Sequence, residues 1–224
     1  MERMEPQGIE PDAAQGPPGT ADAEDATANA ADARGAAARA RSLRWFLKAG
    51  TEQAHERLDR AMEALDLSLA GHYATFLALH AAALAPCELA LEAGGVARLL
   101  PDWPARTRRR ALALDCAGVG LAAPGTVNVH APASADEAWG MAYVLEGSRL
   151  GGRLLDRRAA TSADASVREN RRFLTHGGPR LWPDFVAAME RAAPAPEAAL
   201  GGALAAFAAY AEALDRIGPP RADR

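Results

Sequence analysis

The sequence is poor in aromatic residues and cysteines, and neither sign of charge dominates. Aromatic residues make up 5% of the 224 residues, and the apolar content is mostly alanine, which favours close-packed helices over a β-sandwich. Two cysteines, Cys87 and Cys116, are too few for a disulfide framework and match no metal-ligand spacing, so a reducing, cytoplasmic location is the default expectation. A net charge of −4 gives no indication of a nucleic-acid partner bound through its phosphates.

Residues 1–40 differ in composition from the rest of the chain. They contain eight acidic residues and three arginines among Ala, Pro and Gly, with almost no large apolar side chain. Such a segment buries too little apolar surface to offset its conformational entropy, so the sequence predicts a disordered acidic tail. It also lacks the apolar core of a signal peptide. We interpret it as a docking or solubilising tail, or as a neutral extension, in front of one helical domain over residues 41–224.

From about Ser42 onward, apolar residues recur at helical spacing. The predicted helices run from Ser42 past Met62, from Gly71 to Ala93 with a kink at Pro86, from about Pro104 to Ala117, from Ser134 to about Arg158, and over 164–174, 181–192 and 195–217. Ser134 and Glu137 form a capping-box pattern. No alternating run is long enough for a strand, so the predicted fold class is all-α.

One stretch has the length of a membrane span. Residues 68–87 carry no formal charge over twenty residues. The stretch is mostly alanine and includes two histidines and a proline, which makes insertion into a bilayer unfavourable. We interpret it as a buried core helix and predict no membrane span.

The first predicted helix carries a histidine and a lysine on one face. Neutral imidazole is a common iron ligand, and a single one holds a heme. Lys48 precedes His55 by seven residues, so it lies on nearly the same face, about 10 Å away at ~1.5 Å per residue. His55 is therefore a candidate metal ligand, and Lys48 is a candidate contact for an anionic edge. The alternative is a histidine at the edge of the core and a solvated lysine.

The fourth predicted helix contains three glycines within six residues, Gly147, Gly151 and Gly152, next to Ser148. Each glycine costs a helix ~1 kcal/mol relative to alanine. Gly140, Gly147 and Gly151 fall on one face by helical spacing. A face without Cβ atoms admits either a flat ligand or a closely packed helix, and the sequence leaves both interpretations open.

Together, the segments LKAGTEQAHERLD and YVLEGSRLGGRLL resemble the proximal and distal helices of bacterial heme oxygenases. The resemblance extends over most of residues 42–217. It implies a heme oxygenase-like multi-helix bundle and the oxidative cleavage of heme to biliverdin, CO and ferrous iron. Heme would be both cofactor and substrate, with O₂ and an external reductant as the further requirements.

The resemblance also implies a role for each candidate residue. His55 corresponds to the proximal heme ligand. Gly147, Ser148 and Gly151 correspond to the distal-helix backbone beside the iron-bound oxygen, and Lys48, Thr51 and Tyr143 are the further heme-contacting candidates. Animal-type members carry an aspartate in place of Ser148. Basic residues that would orient the heme in its plane are harder to place: Arg168, Arg171 and Arg172 are candidates, but a solvated helix face accounts for them equally well.

The expected partners follow from the same resemblance. They are an electron donor of the ferredoxin or flavin reductase type and, if the product serves as a chromophore, a bilin-binding photoreceptor. Two alternatives stay open. One is a non-catalytic heme-binding or sensory module, which the acidic tail favours, and the other is a different small-ligand-binding helical bundle such as a thiamin-degrading protein, which would use a cysteine. The attacked meso carbon, the purpose of the reaction and the oligomeric state are not predicted.

Overall fold

The structure is a computed structural model that describes residues 42–122 and 124–218. Within these ranges every regular element is a helix, which confirms the predicted all-α class. The α-helices are α1 (Leu43–Gly50), α2 (Glu52–Glu63), α3 (Ala70–Ala93), α4 (Trp103–Arg106), α5 (Arg109–Gly118), α6 (Ala135–Gly147), α7 (Arg149–Ala160), α8 (Ala165–Glu169), α9 (Arg172–Thr175), α10 (Leu181–Ala192) and α11 (Pro196–Ile217). The predicted tail over residues 1–40 lies outside the described residues.

Helix α11 is the central helix of the domain. It packs most extensively against α6 and also contacts α1, α2 and α3. Its close approach to α6 requires one glycine on each helix: a Cβ at Gly140 would overlap the Ala199 carbonyl, and a Cβ at Gly202 would overlap the Glu137 carbonyl. The interpretation of Gly140 as a helix-packing glycine is therefore correct, and its grouping with the ligand-facing glycines is wrong.

The predicted first helix is interrupted at Thr51, which separates α1 from α2. The Thr51 hydroxyl donates to the Leu47 carbonyl at 2.8 Å. One backbone hydrogen bond closes α1 at Thr51, from Thr51 N to Leu47 O at 3.0 Å, and another opens α2 there, from His55 N to Thr51 O at 2.9 Å. A threonine that bonds back to the preceding turn favours a bend in a helix, so we interpret the interruption at Thr51 as a bend set by local contacts.

Helix α3 is the apolar segment considered as a membrane span. It is long and apolar enough to cross a bilayer, but 67% of its most apolar window is buried inside the protein, which supports the interpretation as a core helix. Pro86 lies inside it and cannot donate a backbone hydrogen bond to the Ala82 carbonyl. That carbonyl accepts from the Val127 N–H at 3.1 Å instead, so the loop before α6 compensates for the proline.

The predicted third helix is two helices, α4 and α5, separated by Thr107 and Arg108. The first backbone N–H groups of α5 are satisfied by a buried carboxylate of α3: Glu88 accepts from Arg108 N at 2.7 Å and from Arg109 N at 3.1 Å. A buried acceptor at this position stabilises a helix start in the manner of an N-cap. The interruption is thus produced by a contact from another helix.

The predicted fourth helix is also interrupted, at Ser148 between α6 and α7. Its start agrees with the capping-box prediction, because the Ser134 hydroxyl accepts from Glu137 N at 3.1 Å. The Glu137 carboxylate accepts from Ala133 N at 2.8 Å, one residue earlier than the usual pattern. The predicted helix over 164–174 is likewise divided, into α8 and α9, near Asn170, whose carbonyl accepts from the Tyr73 hydroxyl at 2.6 Å.

Candidate functional site

His55 lies on α2 with its imidazole open to solvent. Its side chain is 62% exposed. The ring is nevertheless positioned, because Nδ1 lies 2.8 Å from the Asp59 carboxylate one turn later. The Phe207 ring of α11 packs against it edge-on, with ring centroids 6.0 Å apart. Since Nδ1 is engaged by Asp59, Nε2 is the nitrogen available to a metal.

Lys48 and Tyr143 belong to one aromatic cluster that joins α1, α6 and α10. The Lys48 ammonium lies 4.9 Å from the Trp45 ring centre. The Arg44 guanidinium lies between the tryptophans, 5.5 Å from the centre of Trp45 and 5.6 Å from that of Trp182. Trp182 in turn packs against Tyr143 at 5.7 Å. Burial raises the pKa of the Tyr143 hydroxyl, and the nearby Arg44 charge lowers it in part. The cluster therefore supplies two cations and a neutral phenol.

The glycines of the interrupted helix have different surroundings. A Cβ at Gly151 would meet no atom within 4 Å, and one at Gly147 would make ordinary contact with Trp182 at 3.6 Å. Gly152 instead faces the Leu174 carbonyl, which would lie 2.9 Å from such a Cβ. Gly152 is thus a packing glycine, whereas Gly147 and Gly151 leave backbone uncovered by side chains of their own helix.

Ser148, between these two glycines, has its hydroxyl fully engaged. It donates to the Leu145 carbonyl at 2.8 Å and accepts from Arg108 Nη2 at 2.7 Å. The same Arg108 nitrogen donates to the Leu145 carbonyl at 2.7 Å. Ser148 therefore links the helix interruption to a buried arginine from the connection between α4 and α5.

A buried ion network flanks the same interruption and was not predicted. Glu146, 1% exposed, accepts from Arg106 Nη1 at 2.8 Å and from Arg149 Nη2 at 2.9 Å. The sequence does carry a signal for it. Glu146 follows an apolar run of α6, and a carboxylate in such a run requires a basic partner. The arginines of the predicted third helix supply that partner, although periodicity alone does not show that they turn inward.

Thr51 does not present its side chain to a ligand. It is 3% exposed, and its hydroxyl is used by the Leu47 carbonyl. The expectation that Thr51 contacts heme is therefore not supported by this structure. Its role is structural, in the bend that precedes His55.

The three arginines considered for heme orientation make structural contacts. Arg171 pairs with Asp156, Arg172 pairs with the buried Asp115 at 3.1 Å, and Arg168 donates to the Ser162 carbonyl at 2.7 Å. These contacts fix the connections among α7, α8 and α9. They favour the structural interpretation of this basic stretch over a ligand-binding one.

The two cysteines are buried free thiols. Burial raises the pKa of Cys87 to about 12 and that of Cys116 to about 11. Both are therefore thiols at neutral pH and poor nucleophiles. This weighs against the alternative of a thiamin-degrading type of protein, which requires a reactive cysteine.

Over residues 42–122 and 124–218, no three His, Cys, Asp or Glu side chains cluster in a way that would hold a metal ion. His80, the most enclosed histidine, is surrounded by Phe76, Phe173 and Tyr210. Its Nδ1 lies 2.9 Å from the Phe76 carbonyl, and burial lowers its pKa to about 4. It is a half-buried, neutral histidine packed against the aromatic rings of the core.

Comparisons with known proteins agree with this architecture. No protein-family model matches the chain. A curated heme oxygenase from Xanthomonas campestris pv. campestris (strain 8004) is 35% identical over 143 residues, which cover 62% of this chain and 86% of that protein. The NO- and CO-bound heme oxygenase of Neisseria meningitidis superposes with a TM-score of 0.62 at 22% identity, over 82% of this chain and 96% of that chain.

The structural match defines the class of the protein: an all-helical bundle with the heme oxygenase fold. The sequence match goes further, because it combines 35% identity with nearly the full length of the relative. The chain belongs to the heme oxygenase family, as the paired proximal and distal segments predict.

Proposed function

We propose that this protein is a heme-degrading oxygenase that converts heme to biliverdin, CO and ferrous iron, using O₂ and an external electron donor. Family membership supports this class of reaction. The single observation of the structure that carries the proposal is the His55 imidazole, which is exposed but held by Asp59 through Nδ1. A neutral imidazole oriented by a carboxylate is a suitable iron ligand.

His55 is the proposed metal ligand, through Nε2. Its hydrogen bond to Asp59 favours the tautomer with the proton on Nδ1 and orients the ring. As a ligand, a histidine would donate less electron density to iron than a thiolate would. Phe207 beside the ring limits the orientations that the imidazole adopts.

The opposite face of the substrate is assigned to Gly147 and Gly151. The absence of side chains at these positions lets the backbone of α6 and α7 approach a flat ring closely, and at Gly151 a Cβ would find only open space. Ser148 holds its hydroxyl toward Arg108 and the Leu145 carbonyl. We therefore assign the backbone of this segment, with Ser148 as its polar anchor, to confining the reacting oxygen.

The anionic edge of heme is assigned to Lys48 and Tyr143. Heme carries two propionate carboxylates, which favour a cation and a hydrogen-bond donor. Both residues lie on the Trp45–Trp182 cluster, where Arg44 adds a second positive charge. Burial keeps the Tyr143 phenol protonated at neutral pH, so that it donates rather than repels. When bound, heme supplies both the iron that reacts with O₂ and the ring that is oxidised.

The proposal is tested by titrating the protein with hemin and adding a reductant in air. We expect a Soret-absorbing complex that decays into biliverdin. His55→Ala should abolish turnover, because no other described histidine occupies its position, whereas the exposed His130→Ala should behave as wild type. A stable heme complex without ring opening would rule out the enzyme and leave a non-catalytic heme-binding module, the second function that the acidic residues 1–40 favour.

The finer assignments belong to the same proposal. Two buried free thiols suit a reducing compartment, so we place the reaction in the cytoplasm. A ferredoxin or a flavin reductase is the proposed class of electron donor. A bilin-binding photoreceptor is the proposed acceptor if the product serves as a chromophore, whereas an iron-acquisition role requires none.

A further inference from the structure

Arg108 is a buried cation held by neutral groups. It is 4% exposed, and its guanidinium lies 5.0 Å from the centre of the Phe173 ring. Burial, together with the charge of Arg149, lowers its pKa to about 10, so it remains protonated at neutral pH. Its Nε is also buried and has no hydrogen-bond partner among the described residues. Burying a charge in this way is costly, which calls for a reason beyond stability.

The groups that Arg108 does bind lie at the interruption between α6 and α7. In a continuous helix the Leu145 carbonyl would accept from the Arg149 N–H. Here the helix is interrupted at Ser148, and the Leu145 carbonyl accepts instead from Arg108 Nη2 at 2.7 Å and from the Ser148 hydroxyl at 2.8 Å. Arg108 thus replaces the hydrogen bond that the interruption removes.

The neighbouring Arg106 ties both sides of the interruption to α4. Its guanidinium binds Glu146, the second-last residue of α6. Glu146 binds Arg149, the first residue of α7, at 2.9 Å, and Arg149 donates to the backbone carbonyl of Arg106. The segment from Arg106 to Arg108 therefore contacts residues before, at and after the interruption.

The segment is itself fixed to the core. Glu88 of α3 accepts from the backbone N–H of Arg108 at 2.7 Å and is almost fully buried. The position of Arg108 is therefore set by the apolar helix α3 rather than by a surface loop. A displacement of Arg108 would break contacts on both α3 and the interrupted helix.

We propose that Arg108 is a positioning residue, which holds the interruption at Ser148 and thereby fixes the backbone positions of Gly147 and Gly151 beside the substrate. The identity of that substrate as heme rests on the proposed function. Glycines alone would leave this segment free to kink in several ways. The guanidinium selects one geometry, because its donors match the Leu145 carbonyl and the Ser148 hydroxyl together.

The test compares Arg108→Met with Arg110→Met in the ligand-free protein. Each variant removes one positive charge from the same short segment, but Arg110 is exposed on α5. In Arg108→Met we expect amide hydrogen exchange over residues 147–152 to rise about tenfold, with α3 and α11 unchanged. Arg110→Met should match wild type there. Wild-type exchange over 147–152 in Arg108→Met, or the same rise in Arg110→Met, would overturn the proposal.

Arg108→Lys is the conservative variant and guards against a failure of Arg108→Met to fold. A lysine keeps the charge but lacks the planar donor array, so we expect an intermediate rise in exchange over residues 147–152. No local rise in this variant would overturn the proposal, whatever the folding of Arg108→Met.

Hemin provides the second measurement. We expect Arg108→Met to bind hemin with a dissociation constant within about twofold of wild type, since His55 is unchanged, while ring opening slows about fivefold or more. Weakened binding with an unchanged rate would contradict a positioning role. If the wild-type protein gives no Soret complex, the proposed function fails, and the hydrogen-exchange comparison still decides the role of Arg108.

Discussion

The proximal segment, Leu43–Glu63, and the distal segment, Ala135–Ala160, are both long helices interrupted at a hydroxyl residue. At Thr51 the hydroxyl donates to the carbonyl four residues earlier. At Ser148 it donates to the carbonyl three residues earlier. The local chemistry is therefore nearly the same in the two segments, but the surroundings differ.

Thr51 makes its side-chain hydrogen bonds within its own turn, to the Leu47 and Lys48 carbonyls. Ser148 is held by contacts from other parts of the chain. Arg108 donates to its hydroxyl, and the Arg106–Glu146–Arg149 network holds the residues on either side of it. The first interruption is thus a bend set by local sequence, and the second is a geometry imposed by tertiary contacts. The difference indicates that the backbone position is more tightly fixed in the distal segment, where the proposed function requires the backbone of Gly147 and Gly151 at a defined place.

The largest effect that distinguishes the segments is expected from Glu146→Gln. The substitution removes the carboxylate charge from Arg149 and leaves Arg106 paired with the half-exposed Asp102. Breaking a buried ion network costs about 3–5 kcal/mol. Urea unfolding should show this loss, whereas Asp59→Asn on the exposed proximal pair should cost less than about 1 kcal/mol. Equal losses in the two variants would mean that the distal segment is no more dependent on charged contacts than the proximal one.

The second effect is the pH dependence of the unfolding free energy. It also concerns the distal segment, because His80 lies near Arg108. The pKa of His80 is lowered from 6.5 to about 4, chiefly by burial. The unfolded state therefore binds the proton more readily, and stability falls as the pH drops through this window, by about 3 kcal/mol between pH 7.5 and pH 4.

Carboxylates titrate in the same range, so the measurement is the difference between wild type and His80→Leu in urea unfolding at several pH values. The contribution from His80 should be complete above pH 6.5 and lost as the pH approaches 4. A wild-type profile parallel to that of His80→Leu would show that His80 is not buried as a neutral ring.

The helical spacing of apolar residues and the residues that start or stop helices predicted most of the helices, because these signals are local. The helix predicted over residues 71–93 is Ala70–Ala93, and the one predicted over 181–192 is Leu181–Ala192. The interruptions at Arg108 and Ser148 were not predicted, because each depends on a side chain from a distant part of the chain, Glu88 in one case and Arg108 in the other.

The same distinction between local signals and contacts from distant parts of the chain applies to the candidate site. Lys48 and Tyr143 were singled out from separate motifs, but the cluster that connects them runs through Arg44 and Trp182, and Trp182 lies far along the chain from Lys48. Thr51 shares a helical face with His55 by its spacing in the sequence, but its hydroxyl donates to the Leu47 carbonyl of the preceding turn. The candidate residues come from spacing and from the family resemblance, and their assignment to the site stays a prediction; their burial and hydrogen-bond partners could not be predicted from the sequence. The roles of His55, Gly147 and Gly151 stay predictions.

The smallest effect is the most direct comparison of the two interruptions, a pair of double-mutant cycles with Arg108→Lys. Thr51→Val and Ser148→Ala each remove one hydroxyl hydrogen bond, and each should cost about 1 kcal/mol in unfolding free energy. The two differ in coupling. Ser148 shares a hydrogen bond with Arg108, so Ser148→Ala and Arg108→Lys should be non-additive by at least about 0.5 kcal/mol. Thr51 contacts its own turn, so Thr51→Val should add to Arg108→Lys within error. Coupling of similar size in both cycles would erase the distinction between a local bend and an imposed one.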